Sequence, residues 1–447
     1  MTASRLAALL AGSTEHVVCF GRDGAERHLS DLVAAAASVA ARLNRVDGER
    51  WALDLSDGFE LTAGLIGCWA AGRTAILAPP TLLATLERTA LDGVIDSAGD
   101  STTPAANRIA WGELTPSHEP LRAISANAAL KLYTSGSTGV PKEAGRRLAD
   151  LETELGVLEA VFGATLGKSR VFATVAHRHV YGLLFRILWP LLERRPFATF
   201  DWEYPEQLLG PIGDGNVLIS SPALLKRVGH LPAHSGRWRA VFSSGGFLPA
   251  EVGADVARVL GVEPAEVLGS TETSGVAWRR PSSAGFELLP SVQVRVAADE
   301  VLEVRSPFAG VEGWQSLGDR VALRADGRFE LLGRVDRVAK IEDKRVSLSE
   351  IERRLLEHAY VKDVVAVALE DKARQYVGAV VELTPTGHEA LVARGKRSVS
   401  TALRAALRGR IDAVALPRVF RFPQAIPMDA QGKRQLAALV DLFGRKS

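Results

Sequence analysis

Short apolar runs alternate along the middle of the chain with stretches of helical periodicity, and this alternation limits the fold more than any other feature. Val217 to Ser220, Ala240 to Ser243 and Val267 to Leu268 lack the in-and-out pattern of a half-exposed strand. They read as strands buried on both faces. Residues 222 to 229 and 249 to 260, lying between them, carry helical spacing. Strands separated by helices favour parallel pairing under helical layers, so the expected class is α/β.

The flanking regions differ from this core. Residues 29 to 43 read as an alanine-rich helix, with Ser30 as a candidate cap and Leu32, Val33, Val39 and Leu43 on one face. Leu6 to Leu10 form a short apolar run after Arg5, without a small-residue cleavage pattern, and read as an amphipathic helix rather than a secretory leader. After residue 290 the texture becomes alternating strand, in Val292 to Val296, Val301 to Val304 and Phe329 to Leu332, with hairpin chemistry at Ala325-Asp326-Gly327. Beyond Asp336 come a helix from Ser349 to His358, strands at Val364 to Leu369 and Tyr376 to Glu382, and a helix across Lys396 to Leu407. The expected organisation is a large N-terminal domain over residues 1–335, made of layered parallel sheets and helices with a β-rich subdomain. A small α+β C-terminal domain follows over residues 336–447.

Composition narrows the partners. With 54 Lys plus Arg against 52 Asp plus Glu, the 447-residue chain carries +2. There is no excess of positive charge for nucleic acid or anionic lipid to act on, so small molecules or proteins are the expected partners. Cys19 and Cys68 are far apart and without CxxC spacing, which excludes a disulfide framework or thiolate metal site and fits a reducing cytoplasm. Arg186 and Pro190 interrupt the most apolar stretch, Val180 to Leu192, so no membrane span is expected.

The chemistry concentrates in Tyr133-Thr134-Ser135-Gly136-Ser137-Thr138-Gly139-Val140-Pro141-Lys142. Small hydroxyl residues and glycines let backbone N–H groups approach an anion closely, and the lysine adds positive charge, so the string reads as a phosphate cradle. It is not a Walker A loop, because the spacing differs and Pro141 removes the N–H before the lysine. It also lacks the GxSxG of a nucleophile elbow. A His177-Arg178-His179 metal site finds no further ligand cluster in the sequence.

This string resembles the signature loop of the adenylate-forming ligases, which include acyl-CoA synthetases, aryl-CoA ligases and the adenylation domains of peptide synthetases. Further resemblances follow in the family's order, from residue 133 to 435. Ser244-Gly245-Gly246-Phe247-Leu248-Pro249 resembles the turn that lies against adenine, with Leu268 in place of the ring often found before Gly269. Gly269-Ser270-Thr271-Glu272 resembles the Gly-x-Thr-Glu segment, and Gly318-Asp319 the ribose-binding pair. Gly333-Arg334-Val335-Asp336, with Lys340, Arg345 and Glu350-Ile351-Glu352, resembles the hinge segment, and Pro427 to Lys433 the C-terminal lysine loop. His179-Val180-Tyr181-Gly182 resembles the segment that gates the carboxylate end of the acyl pocket.

The resemblance implies ATP-dependent activation of a carboxylic acid to acyl-AMP, followed by thioester formation on the phosphopantetheine of coenzyme A or an acyl carrier protein. Glu272 is suited to hold Mg2+, and Thr271 to donate to phosphate. Asp319 can accept from ribose hydroxyls, and Arg334 offers a planar donor fork. Lys433 is the expected catalytic cation between carboxylate and α-phosphate. The C-terminal domain is expected to be mobile about Asp336, and an aryl or medium acyl acid fits the compact type found beside aryl-polyene pathways. Three residues depart from the family pattern: Leu268, Arg337 for a second acidic residue, and Asp343 for a glycine near the thiol channel. They leave open a non-thiol acceptor, or a non-catalytic nucleotide-binding scaffold.

Overall fold

The structure, a computed structural model, describes residues 4–13, 15–78, 83, 91–97, 101, 103, 105–117, 119–135, 141–210, 215–233, 238–283, 285–297, 300–341, 344–371, 374–428, 434 and 436–444. The chain divides into two compact units, residues 1–294 with 304–315, and residues 295–303 with 316–447.

The first unit is built on two mixed sheets. One has the strand order Glu287–Leu288, Ser274–Arg279, Ala265–Ser270, Ala240–Ser243, Val217–Ser220, Val171–Ala173, Phe197–Ala198, Val17–Phe20, Glu26–His28. Its central strands, from Ala265–Ser270 to Val17–Phe20, are parallel, and its edges are antiparallel. The expected buried strands over 217–220 and 240–243 form with those limits. Val267 and Leu268 lie inside a longer strand. The second sheet was not anticipated. It orders Asn107–Ala110, Gly93–Asp96, Arg50–Asp54, Thr74–Leu77, Ala129–Ser135 and Pro141–Arg147, parallel except for the last pair. Strands such as Thr74–Leu77 are buried at every position, as parallel strands covered on both faces must be.

Two local expectations are corrected. The helix over Leu29–Leu43 begins one residue before Ser30, so Ser30 is not its cap. Asp31 instead accepts the His28 N–H at 2.7 Å. The helix expected over 222–229 ends at Leu225, and Arg227 donates to the Glu203 carbonyl at 2.9 Å.

The second unit contains most of a four-stranded sheet ordered Gln293–Val296, Val301–Arg305, Gln315–Leu323, Phe329–Arg334, its last two strands paired antiparallel. It also contains the long hairpin Val361–Asp371 and Arg374–Leu383, extended in parallel by Val419–Arg421. The period-two side-chain alternation sends Val364 and Ala366 into a core with Ile351, Leu355, Leu403 and Phe420. Val365, Val367 and Leu369 turn to the other face, against Ile426 and Leu439. Both faces of the hairpin are therefore covered. The mixed α/β class with a large first unit and a smaller α+β second unit is as expected. Cys19 and Cys68 are buried free thiols, and among the described residues no helix is long and apolar enough to cross a membrane.

Candidate active site

The cradle string sits where two antiparallel strands meet. Ala129–Ser135 pairs with Pro141–Arg147 so that Thr134 faces Lys142 and Tyr133 faces Glu143. Gly136 to Gly139, including Ser137 and Thr138, lie outside the described residues, as do the side chains of Thr134 and Ser135. Period-two alternation puts Lys131, Tyr133 and Glu143 on one face and Lys142 with Arg146 on the other.

On the first face, Glu143 accepts from Lys131 at 2.8 Å, from Arg50 at 3.0 Å and from the Tyr133 hydroxyl. Burial alone would raise its pKa, but the donors Lys131, Tyr133 and Arg50 bring it down to about 2. Burial, together with the Glu143 hydrogen bond, pushes Tyr133 up to about 12. A fixed ionic knot therefore braces the strand that presents the exposed Lys142.

The Thr271–Glu272 pair occupies the tight turn between Ala265–Ser270 and Ser274–Arg279. The Ser270 hydroxyl accepts the N–H groups of Glu272 and Thr273 at 3.2 and 3.0 Å. Gly269 is required here, since a Cβ would lie 2.3 Å from the Ser274 carbonyl oxygen. Ser274 adopts φ 61°, a left-handed conformation uncommon for a residue with a side chain.

Buried side chains hold the turn at both ends. Arg146 donates to the carbonyls of Thr271 and of Glu272, the latter at 2.9 Å, and also to Gly145 and Ala309. Glu154 accepts the Ser274 hydroxyl at 2.6 Å and the Gly275 N–H at 2.8 Å. Burial raises the pKa of Glu154 and lowers that of Arg146, each opposed by the other's charge. The half-buried Glu272 carboxylate forms no hydrogen bond or ion pair with a described residue, though its charge favours the Arg146 cation.

The remaining first-unit candidates collect at the carboxyl ends of the parallel strands, where open α/β sheets bind ligands. After Ala240–Ser243, Ser244 donates to the Val267 carbonyl at 2.8 Å and Gly245 takes φ +88°. Gly246 follows in the same turn, and Leu268 in the adjacent strand is half-buried. Phe247 is 53% exposed and carries the Arg279 guanidinium 4.6 Å from its ring centroid.

After Val171–Ala173, His177 is buried against the Leu55 carbonyl at 2.9 Å. Burial, with the Arg186 cation nearby, holds its pKa down at about 3, so it is neutral. Arg178 pairs with Asp54 at 3.2 Å, and half-buried His179 opens the helical segment Val180–Gly182. That segment runs into a π-helix, Leu183–Leu188. Inside it the fully buried Arg186 donates to the Val175 and Thr199 carbonyls and pairs with Asp201. Asp201 is thus engaged, and the described residues contain no metal-holding group of three His, Cys, Asp or Glu.

The other candidates belong to the second unit. Asp319 and Arg334 are direct cross-strand partners, with Arg334 Nη1 3.7 Å from Asp319 Oδ2. Asp336 lies in the short 3₁₀ turn Val335–Arg337, and its side chain is outside the described residues, as is Asp343. Arg337 pairs with half-buried Glu352 and donates to the Ala366 carbonyl at 2.8 Å. Glu352 accepts the Ala366 N–H at 2.8 Å. Lys433 lies outside the described residues. Its neighbour Arg434 bridges to Met428 in backbone pairing and pairs with Asp363 at 2.7 Å.

Arg146 and Glu154 were missed in the sequence. The available signal was a glutamate on the apolar stripe of a helix, among Leu151, Leu155 and Leu158, a position normally costly for a charge.

A parallel α/β lobe with Gly-, Ser- and Thr-flanked turns at its carboxyl edge is an architecture suited to holding a nucleotide. Residues 84–313 match the AMP-binding enzyme family, and residues 350–433 match the AMP-binding enzyme C-terminal domain. The chain belongs to this family, the adenylate-forming ligases. A 4-coumarate–CoA ligase of Rhodobacter capsulatus is 27% identical over 332 residues, spanning 72% of this chain and 79% of its own. The crystal structure of a benzoate CoA ligase from Burkholderia xenovorans shares the fold with TM-score 0.82 at 19% identity, covering 98% of this chain and 100% of that one. The amide bond synthetase McbA from Marinactinospora thermotolerans shares it with TM-score 0.80 at 18% identity, over 98% and 99%.

Proposed function

We propose that the protein is an ATP-dependent acid–thiol ligase of the cytoplasm. A substrate carboxylate oxygen attacks the α-phosphorus of ATP, pyrophosphate leaves, and acyl-AMP forms. A phosphopantetheine thiol then attacks the acyl carbonyl, forming a thioester and releasing AMP. The single observation that carries this reading is the Thr271–Glu272 turn, pinned through its backbone while its carboxylate pairs with no described residue, in a chain of this family.

In this reading Lys142 and the hydroxyls and N–H groups of residues 134–139 hold the triphosphate, and Gly245, Gly246, Leu268, Gly269 and Ser270 line the adenine. Asp319 and Arg334 address the ribose. Lys433 offsets charge at the α-phosphate, His179 stands at the carboxylate end of the acyl pocket, and Asp336 is the hinge between domains 1–335 and 336–447. A single carboxylate such as Glu272 suits Mg2+, which keeps most of its ligands as water and phosphate oxygen. When bound, the ion neutralises phosphate charge.

The relative's activity on 4-coumarate supports an aromatic acid and coenzyme A. A medium-chain acid and the phosphopantetheine of a carrier protein are the competing assignments. Exchange of labelled pyrophosphate into ATP tests the first step. It should appear with at least one member of a panel of aryl and medium-chain acids and vanish with EDTA. Absence with every acid would leave a nucleotide-binding scaffold. Adding coenzyme A or a carrier protein, and finding thioester with one of them, then identifies the acceptor; an amide or ester product would overturn the thiol reading.

A further inference from the structure

We propose that Arg146 and Glu154 form a buried clamp that sets the position of the Thr271–Glu272 turn, making both of them positioning residues for the metal–nucleotide end of the site. The inference rests on the reading that this turn meets Mg2+ and ATP, and it goes beyond that reading by assigning two residues outside the turn.

The geometry is two-sided. Arg146 comes from the strand that begins one residue before Lys142, on the same strand face as that lysine, and takes the carbonyls of Thr271 and Glu272. Glu154 comes from the helix Leu148–Leu166, which starts directly after that strand, and takes the hydroxyl of Ser274 and the N–H of Gly275. One short stretch of chain, residues 142–154, thus carries the exposed lysine of the cradle and grips the opposite hairpin before and after its tip.

The groups are matched to the task. A guanidinium can serve four carbonyls in one plane, and a lysine ammonium cannot reproduce that fork. Arg146 reaches Gly145 and Ala309 with one terminal nitrogen and Thr271 and Glu272 with the other. Glu154 binds Ser274 in its left-handed conformation, which an unbraced residue would leave. Burying both charges is costly, and a well-packed apolar pair of similar volume would serve stability as well or better. What an apolar pair could not do is fix the carbonyls of Thr271 and Glu272, and with them the direction of the Glu272 side chain.

The test compares wild type with Arg146→Lys, Glu154→Gln and the double variant, in the full-length protein. Glu154→Gln keeps the shape and one acceptor, so it guards against a variant that merely fails to fold. Calorimetric titration with ATP, in EDTA and in Mg2+, reads nucleotide binding without turnover, and pyrophosphate exchange gives the Mg2+ concentration for half-maximal rate and the KM of the acid.

Each single variant should weaken Mg2+-dependent ATP binding and raise half-saturating Mg2+ about tenfold, the weight of one or two charge-assisted hydrogen bonds. The acid KM should stay within about twofold, and the double variant should fall well short of the product of the two effects, as members of one unit do. The proposal is overturned if the singles lower the unfolding temperature but leave Mg2+ half-saturation unchanged, or if their effects multiply. If wild-type protein itself shows no Mg2+-dependent ATP binding, the reading of the turn fails instead.

Discussion

At the scale of single residues, the cradle strand depends on a carboxylate that spacing does not reveal. Lys142 stands out because it closes a Ser/Gly string, whereas a Lys-Glu pair looks like ordinary surface charge. Only the cross-strand pairing of Tyr133 with Glu143 brings the latter among Lys131 and Arg50. The consequence is measurable. Glu143 has its pKa lowered from 4.5 to about 2 by these donors against the opposing effect of burial. A carboxylate whose pKa is depressed on folding stabilises above its unfolded pKa, and that stability drains away as pH falls through the folded value. The window here runs from about pH 4.5 down to about pH 2. Urea unfolding at about pH 5 and about pH 3 should show wild type losing more stability than Glu143→Gln. Equal losses would mean that the knot does not hold the hairpin.

At the scale of elements, legibility followed burial and periodicity. Val217–Ser220 and Ala240–Ser243 were readable because each is a closed apolar run in a parallel sheet. The helix Pro385–Leu407 was seen only from Lys396 onward, because Gly395 at φ 73° breaks it and divides the periodicity into two phases. The sheet over residues 50–147 went unread although Trp51 to Leu53, Ala75 to Leu77 and Val94 to Ile95 are apolar, since the four- and five-residue strands that hold them carry too little pattern to separate from helix. The lysine-loop expectation also depends on an element that spacing hides. Asp363, buried in the Val361–Asp371 strand, holds Arg434 and accepts the Val364 N–H at 2.9 Å. Asp363→Asn should slow adenylation about tenfold, because small misplacements of a catalytic group are costly. Thioester formation from synthetic acyl-AMP should change little. Single-turnover rates for the two steps check this, and equal slowing of both would show only general damage.

At the scale of the whole molecule, the residues singled out by the family's segments fall in two compact units. Lys142 and the Thr271–Glu272 turn belong to the first, while Asp319, Arg334 and Lys433 belong to the second. The family and the two-unit architecture were legible in the ordered series of segments from Tyr133 to Lys433. The acid was not, because the choice of a substrate rests on side chains drawn from separate segments, which no spacing ties together. Lys433 is proposed to act in the first half-reaction alone. The most direct measurement is therefore the pair of half-reaction rates in Lys433→Ala. Acyl-AMP formation should fall by about 10²–10³-fold, the weight of one preorganised donor at a charge-developing oxygen. Thioester formation from synthetic acyl-AMP and coenzyme A should proceed at close to the wild-type rate. Loss of both rates in equal measure, or of neither, would contradict the account.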